Sequence, residues 1–270
     1  MRLGGFVIHG NNADTLPACL DSLASCCDEV VAVDSCSSDG SAELVRARGI
    51  RSANQPWQGF GAARARAVEL LPAADYVLYL DADERLPPQS VERIRAWRAS
   101  SPSARYYRLP IRDWAELPGH RFVFRVHRRL RLVRRDAAAW RREMIVHESL
   151  SAGRGEAVAL DAPIDHRFAT SIPARGEKED RYALLWALRA NAEGRRSKWA
   201  WAQRPAHALR NAVLKGALFR GGLDGWRLAW AVGRYHQLKY VYLDAVRAGL
   251  HASEMAGMRE GRYEELFRAV

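Results

Sequence analysis

Residues 76–88 read YVLYLDADERLPP, an apolar and aromatic run that ends abruptly in Asp81, Asp83 and Glu84. Two carboxylates one residue apart at the tip of a buried strand can share a hard divalent cation, directly and through water. Mg2+ or Mn2+ held in that way keeps positions open for phosphate oxygens. A solvated turn is the other reading of the same residues, because this spacing is common; the position directly after YVLYL favours the cation. Other chemistries that use paired aspartates need different surroundings. An aspartyl nucleophile would follow the first strand, and a nucleotidyl transfer site would follow a loop rich in glycine and lysine. Here the first strand runs into HGNNADTL, and neither a P-loop nor a G-x-G-x-x-G after a strand is found.

The elements that must hold these acids are legible upstream. Residues 4–9 (GGFVIH) read as a first strand. Leu16, Cys19, Leu20 and Leu23 then fall on one face of a helix. Residues 30–33 (VVAV) suit a buried parallel strand, and they end in DSCSSDGS, a cluster of turn and cap residues. Helices are predicted over 42–48, stopping at Gly49, over 62–71 after PWQGFG, and over 89–98. Alternating strands and helices define an α/β fold with a mostly parallel sheet flanked by helices. Ligands bind such sheets beyond the carboxyl ends of the strands, where both DSCSSDG and DADE fall. From residue 105 the segments RYYRLPI and RFVFRVHRRLRLVRR alternate like strands. MIVHESL and AVALDAPIDH are read as strands and loops. From residue 177 onward the pattern is helical, with breaks predicted near Pro205 and at Gly221-Gly222.

Composition sets the frame. The chain has 270 residues, 48% of them hydrophobic and 27% charged, which fits a globular protein with a sizeable core and excludes a disordered chain. The net charge of +11 points to a polyanionic partner: nucleic acid, an anionic membrane face or a phosphorylated substrate. Cys19, Cys26, Cys27 and Cys36 form no C-x-x-C pair and no zinc spacing, so reduced thiols are expected. The initial apolar run is too short for a signal peptide, and no window is apolar enough for a spanning helix.

Taken together, the strand with Asn11, LPACLDSL, VVAVDSCSSDGS, PWQGFG, YVLYLDADERLPP, RLRLVRR, IVHESL and LDGW resemble the family 2 inverting glycosyltransferases of GT-A fold. More narrowly, the sequence is similar to the bacterial lipopolysaccharide core β-glucosyltransferase group, from residue 3 to about 245. The resemblance implies a Rossmann-like catalytic domain over 1–175, with a nucleotide-sugar half (1–100) and an acceptor half (101–175). A basic, Trp-rich helical extension follows over 176–270. It further implies that Asn11, Asp34, Arg64 and Asp81 bind the nucleotide sugar, Asp34 at the uracil or ribose and Arg64 near the base and diphosphate. Asp83 and Asp81 match the metal-binding acids, with His147 or His166 completing the metal or diphosphate site. Glu148 matches the family's catalytic base. The chain departs from the pattern at three places: Asn12 stands where the family commonly has Glu, Cys36 where it has glycine, and Ala65 where it has Asn.

Inverting transfer implies three demands: neutralisation of the departing diphosphate, an acceptor hydroxyl in line behind the sugar, and a carboxylate that takes its proton. The implied donor is a UDP-sugar, and the acceptor a glycolipid or lipopolysaccharide core. Phosphorylated core sugars would suit the arginines of the 121–135 segment, Arg131 and Arg134 among them. Residues 177–250 carry fourteen Lys and Arg against six Asp and Glu, with five of the nine tryptophans. That combination suits an anionic membrane surface and a peripheral position on the cytoplasmic face of the bacterial inner membrane; tryptophans packed helix on helix under solvated charges are the other reading. A nucleic-acid binder would share the basic and aromatic pattern, but it has no use for DADE, whose charge repels phosphates. A catalytically inactive relative of the same fold is the remaining alternative.

Overall fold

The computed structural model describes residues 1–142, 150 and 156–260. The chain divides into two compact units, residues 1–112 with 127–166, and residues 113–126 with 167–270. The segment 113–126 groups with the C-terminal helices.

In the first unit, β1 (Leu3–His9) lies between β2 (Glu29–Asp34) and β4 (Tyr76–Asp81), parallel to both, and β3 (Arg51–Asn54) extends the sheet beyond β2. Each of these strands is reached through a helix: α1 (Leu16–Ala24), α2 (Ser41–Ala47) and α3 (Phe60–Glu69), with α4 (Pro88–Ala99) following the short strand β5 (Glu84–Arg85). The remaining strands are β6 (Tyr106–Leu117), β7 (His120–Arg134), β8 (Ala157–Ala159) and β9 (Ile164–Ala169), giving the order β3-β2-β1-β4-β7-β6-β9-β5. The parallel half is therefore joined to an antiparallel half, since β7 meets β4 antiparallel and β5 meets β9 antiparallel.

Alternation along the strands builds two cores, one on each face. Leu3, Val7, Ala32, Leu78 and Leu80 pack with Leu16, Leu20 and Leu23 of α1 and Ile94 and Trp97 of α4. Phe6, Ile8, Val31, Val33, Val77 and Tyr79 pack on the other face with Ala63, Ala67 and Val68 of α3 and with Trp140. The central strand carries two adjacent glycines for a steric reason. A Cβ on Gly5 would come within 2.9 Å of Cys27 Sγ, and one on Gly4 within 3.0 Å of Leu71.

In the second unit, Ala115, Phe122, Phe124 and Phe168 form a core with Ala212, Ala217, Leu228 and Val232. Its helices are α5 (Ile172–Ala192), α6 (Ala200–Leu209), α7 (Ala217–Arg247) and α8 (Ala252–Arg259), with a π-helical turn, Arg210–Leu214, after α6. Pro205 lies inside α6 and does not break it. Gly222, with φ 52° and ψ −135°, bends α7 as the glycine pair predicted. Among the described residues, no helix is long and apolar enough to cross a membrane.

Candidate active site

The parallel strands end together, and their last residues are the polar ones. His9 and Asp34 close β1 and β2 in register with each other, and both are buried. Asp34 Oδ1 accepts hydrogen bonds from Ser37 N at 3.0 Å and Ser37 Oγ at 2.5 Å, and lies 3.4 Å from His9 Nδ1. Burial lowers the His9 pKa, and the nearby charges of Asp34 and Asp39 only partly offset it. The imidazole is therefore neutral at pH 7, and its Nε2 has no hydrogen-bond partner among the described residues.

These two residues line a 320 Å³ cleft with Cys36, Ser37, Arg46 of α2 and Asn54 at the end of β3. The two loops that rim it are tied together. Asn11 Oδ1 accepts from Ser38 N at 2.8 Å, and Asn11 N donates to Ser37 Oγ at 3.0 Å. Asn12 N donates to Ser41 Oγ at 2.9 Å, while Asp39 accepts from Ala13 N at 2.8 Å. Asn11 and Cys36 both adopt left-handed backbone, at φ 56° and 61°. Asparagine tolerates that conformation, but cysteine does so only with strain. The glycine common at the Cys36 position in the resembling family would be free of it.

On the other face, at the end of β4, Asp81 is gripped by two arginines. Arg64 Nη2 donates to Oδ1 and Arg131 Nη2 to Oδ2, each at 2.6 Å. Both guanidiniums also sit over the ring of Tyr79, at 5.0 and 5.1 Å from its centroid. Arg131 makes a second bond, 2.6 Å to Glu84 Oε1, and Glu84 Oε2 accepts from Asp81 N at 3.0 Å. Burial works against the Arg131 charge, and Asp81 and Glu84 outweigh it. For Asp81, burial raises the carboxyl, and Arg131 and then Arg64 pull it below its ordinary value. Asp83 lies on the outer side of this network, with Oδ2 3.4 Å from His166 Nε2. The pairing of Glu84 with His166 across β5 and β9 brings that histidine there.

The cluster of Asp81, Asp83 and Glu84 against Arg64 and Arg131 carries one carboxylate more than it has guanidiniums. An oxygen and an imidazole nitrogen 3.4 Å apart are close enough to be neighbouring ligands of one divalent ion. Asp83 and His166 are the two side chains so placed; among the described residues no group of three or more His, Cys, Asp or Glu stands together as a metal site, and Asp81 is held by arginines.

The structure separates one expected residue from this site. Arg134 pairs in register with Tyr76 at the opposite end of β4 from Asp81, about 16 Å along the strand, and its guanidinium bonds Asp136 at 2.7 Å. Arg131, expected at the acceptor phosphate, is committed to Asp81 and Glu84. His147 and Glu148 lie outside the described residues. His9 was not singled out from the sequence; the signal for it, a polar residue closing an apolar strand, is the same one that marks Asp34.

The parallel strands thus present polar ends, with a cleft over β1 and β2 and an acid cluster at β4. Residues 6–129 match the model of glycosyl transferase family 2. The chain is 29% identical over 236 residues to LpsC, a lipopolysaccharide core biosynthesis glycosyltransferase of Rhizobium meliloti, covering 84% of this chain and 86% of that one. An uncharacterized glycosyltransferase of Rickettsia felis is 30% identical over 105 residues, 39% of this chain and 37% of its own length. Among solved structures, TarS of S. aureus is similar over 99% of this chain and 54% of that chain, at 16% identity and a TM-score of 0.46.

Proposed function

We propose that this chain transfers a hexose, glucose, from a UDP-sugar to a lipopolysaccharide core or related glycolipid acceptor, with inversion at the anomeric carbon and with Mg2+ or Mn2+. The work would be done on the cytoplasmic side of the bacterial inner membrane. The observation that carries the reading is buried Asp34, paired with His9 in one cleft and two strands away from the acid cluster of β4. Two strand spacings are about 10 Å, the scale of a nucleoside joined to its pyrophosphate. The similarity to LpsC supports the acceptor class.

In this reading Asp34 accepts from the base or ribose, and Asn11 shapes the loop around it. Arg64 fixes Asp81 in place and adds positive charge near the diphosphate. Asp83 and His166 would hold the cation, which when bound supplies charge neutralisation to the leaving diphosphate. Arg131 positions Asp81 and Glu84 from beneath. Glu148, on the strength of the family resemblance, takes the proton of the attacking acceptor hydroxyl.

Titration calorimetry with UDP, dTDP and GDP, with and without Mn2+, tests the reading. UDP binding that tightens with Mn2+ is expected. Asp34→Asn should weaken it about tenfold or more, the value of a hydrogen bond to a charged group. Asp83→Asn should remove the Mn2+ increment and leave the metal-free affinity. Glu148→Gln should keep donor binding and lose transfer. Failure of all three nucleotides to bind under either condition refutes the proposal.

A further inference from the structure

The turn that joins α6 to α7 exposes large apolar side chains that nothing in its own unit covers. Leu214 is 80% exposed and Phe219 77%, and Leu209 and Leu223 are also exposed. The opposite side of the same turn is already packed: Asn211, Ala212, Ala217 and Gly221 are buried, and a Cβ on Gly221 would collide with the Phe122 ring. The segment is therefore apolar on two sides, with only one inside the fold. A helix apolar all round requires a second nonaqueous neighbour.

Charge identifies that neighbour. Residues 194–223 contain seven Lys and Arg and no Asp or Glu. Arg210 and Lys215 bracket Leu214, and Arg220 follows Phe219. Arg220 donates to the carbonyls of Val123 and Phe124, hydrogen bonds that leave its positive charge unneutralised. The same segment presents Trp199 and Trp201, both exposed, with rings stacked 6.2 Å apart. The crowding of positive charge is felt nearby. Lys239 is lowered to about 8, by burial first and then by Lys198 and Arg195. A second copy of this face would oppose like charge with like.

We propose that residues 199–223 dock on an anionic lipid bilayer, with Leu214 and Phe219 inserted below the headgroups and Arg210, Lys215 and Arg220 at the phosphate level. Apolar anchors combined with interfacial tryptophans and basic residues are the two signals that membrane attachment takes. Each basic residue near an anionic surface strengthens binding about fivefold, and each buried Leu or Phe about tenfold or more.

Co-sedimentation of the full chain with phosphatidylcholine vesicles, with or without 40% phosphatidylglycerol, tests this without any nucleotide. The wild type should bind the anionic vesicles and be released by 0.5 M NaCl. Arg210→Gln with Lys215→Gln should weaken binding about 25-fold, and Leu214→Asp with Phe219→Asp about a hundredfold. All four positions are at the surface, so the variants should keep the wild-type circular dichroism and UDP affinity. A loss of vesicle binding alone therefore separates this proposal from the one on the nucleotide site. Equal binding to both vesicle types, or no binding to either, overturns it. So does self-association that the Leu214→Asp, Phe219→Asp pair abolishes in the absence of lipid binding, which would make the face a contact between copies.

Discussion

Arg131→Met is the most informative change in the acid cluster. The substitution keeps an unbranched apolar stem and removes one charge that serves two carboxylates at 2.6 Å each. Glu84 is 2% exposed, so its ionised form would be stranded against the Asp81 N–H, which donates to its Oε2. Removing one partner of a buried pair costs about 3–5 kcal/mol. The Asp81 share counts for less, because that carboxylate is 37% exposed and keeps Arg64. The expected loss is therefore near the lower end, about 3 kcal/mol. The chain has two units and a single global unfolding energy is poorly defined for it, so the readout should be local. Hydrogen exchange of the β4 amides should speed up by roughly a hundredfold, at 1.36 kcal/mol per decade. Adding Glu84→Gln, which neutralises the stranded group, should recover at least half of the loss. Unchanged β4 protection in Arg131→Met, or a double variant as labile as the single one, refutes the argument that Arg131 holds the cluster together.

Three other outcomes are expected. Cys36→Gly relieves a left-handed cysteine at φ 61°, and should leave thermal stability unchanged or raised by up to about 1 kcal/mol; a clear loss would mean that the thiol bond to Asn54 outweighs the strain. Gly225→Ala would drive a methyl into the carbonyl of Ala217 and should destabilise the second unit by about 1–3 kcal/mol, measured by exchange in α7. His236, stacked on His207 with ring centroids 3.4 Å apart, is lowered to about 3 by burial and then by His207. A depressed histidine binds protons more readily when unfolded, so its contribution is complete above pH 6.5 and is lost as the pH falls toward 3. His236→Phe should flatten that part of the stability profile, and a variant with an unchanged acid limb would count against it.

The parallel half was readable because its strands are short apolar runs with polar ends. GGFVIH, VVAV and YVLYL each mark a strand to within a residue or two, and the helices between them follow from apolar spacing. The polar strand ends came with them: Asp34 and Asp81 close β2 and β4. The antiparallel half was less legible, because long strands rich in arginine do not declare which guanidiniums turn inward. Arg131 and Arg134 are three residues apart in one strand, yet the first is buried under Asp81 and the second lies at the far end of β4. That difference is one of register, which local sequence does not encode. Pro205 looked like a helix break, yet it stands inside α6, six positions after the N-cap, where it forgoes one backbone hydrogen bond.

Gly4 and Gly5 leave the central strand without side chains on either face at the same level. Cys27 and Leu71 have moved into that space, so the sheet is thinnest there. A group added to the Cys27 sulfur, by alkylation or by a bulky disulfide partner, would therefore act as a wedge between α1 and β1. Its effect would run along the strand to His9, at the far end, so an adduct on Cys27 would reach the cleft from its floor, whereas one on Cys36, exposed in the cleft lining, would reach it from its mouth.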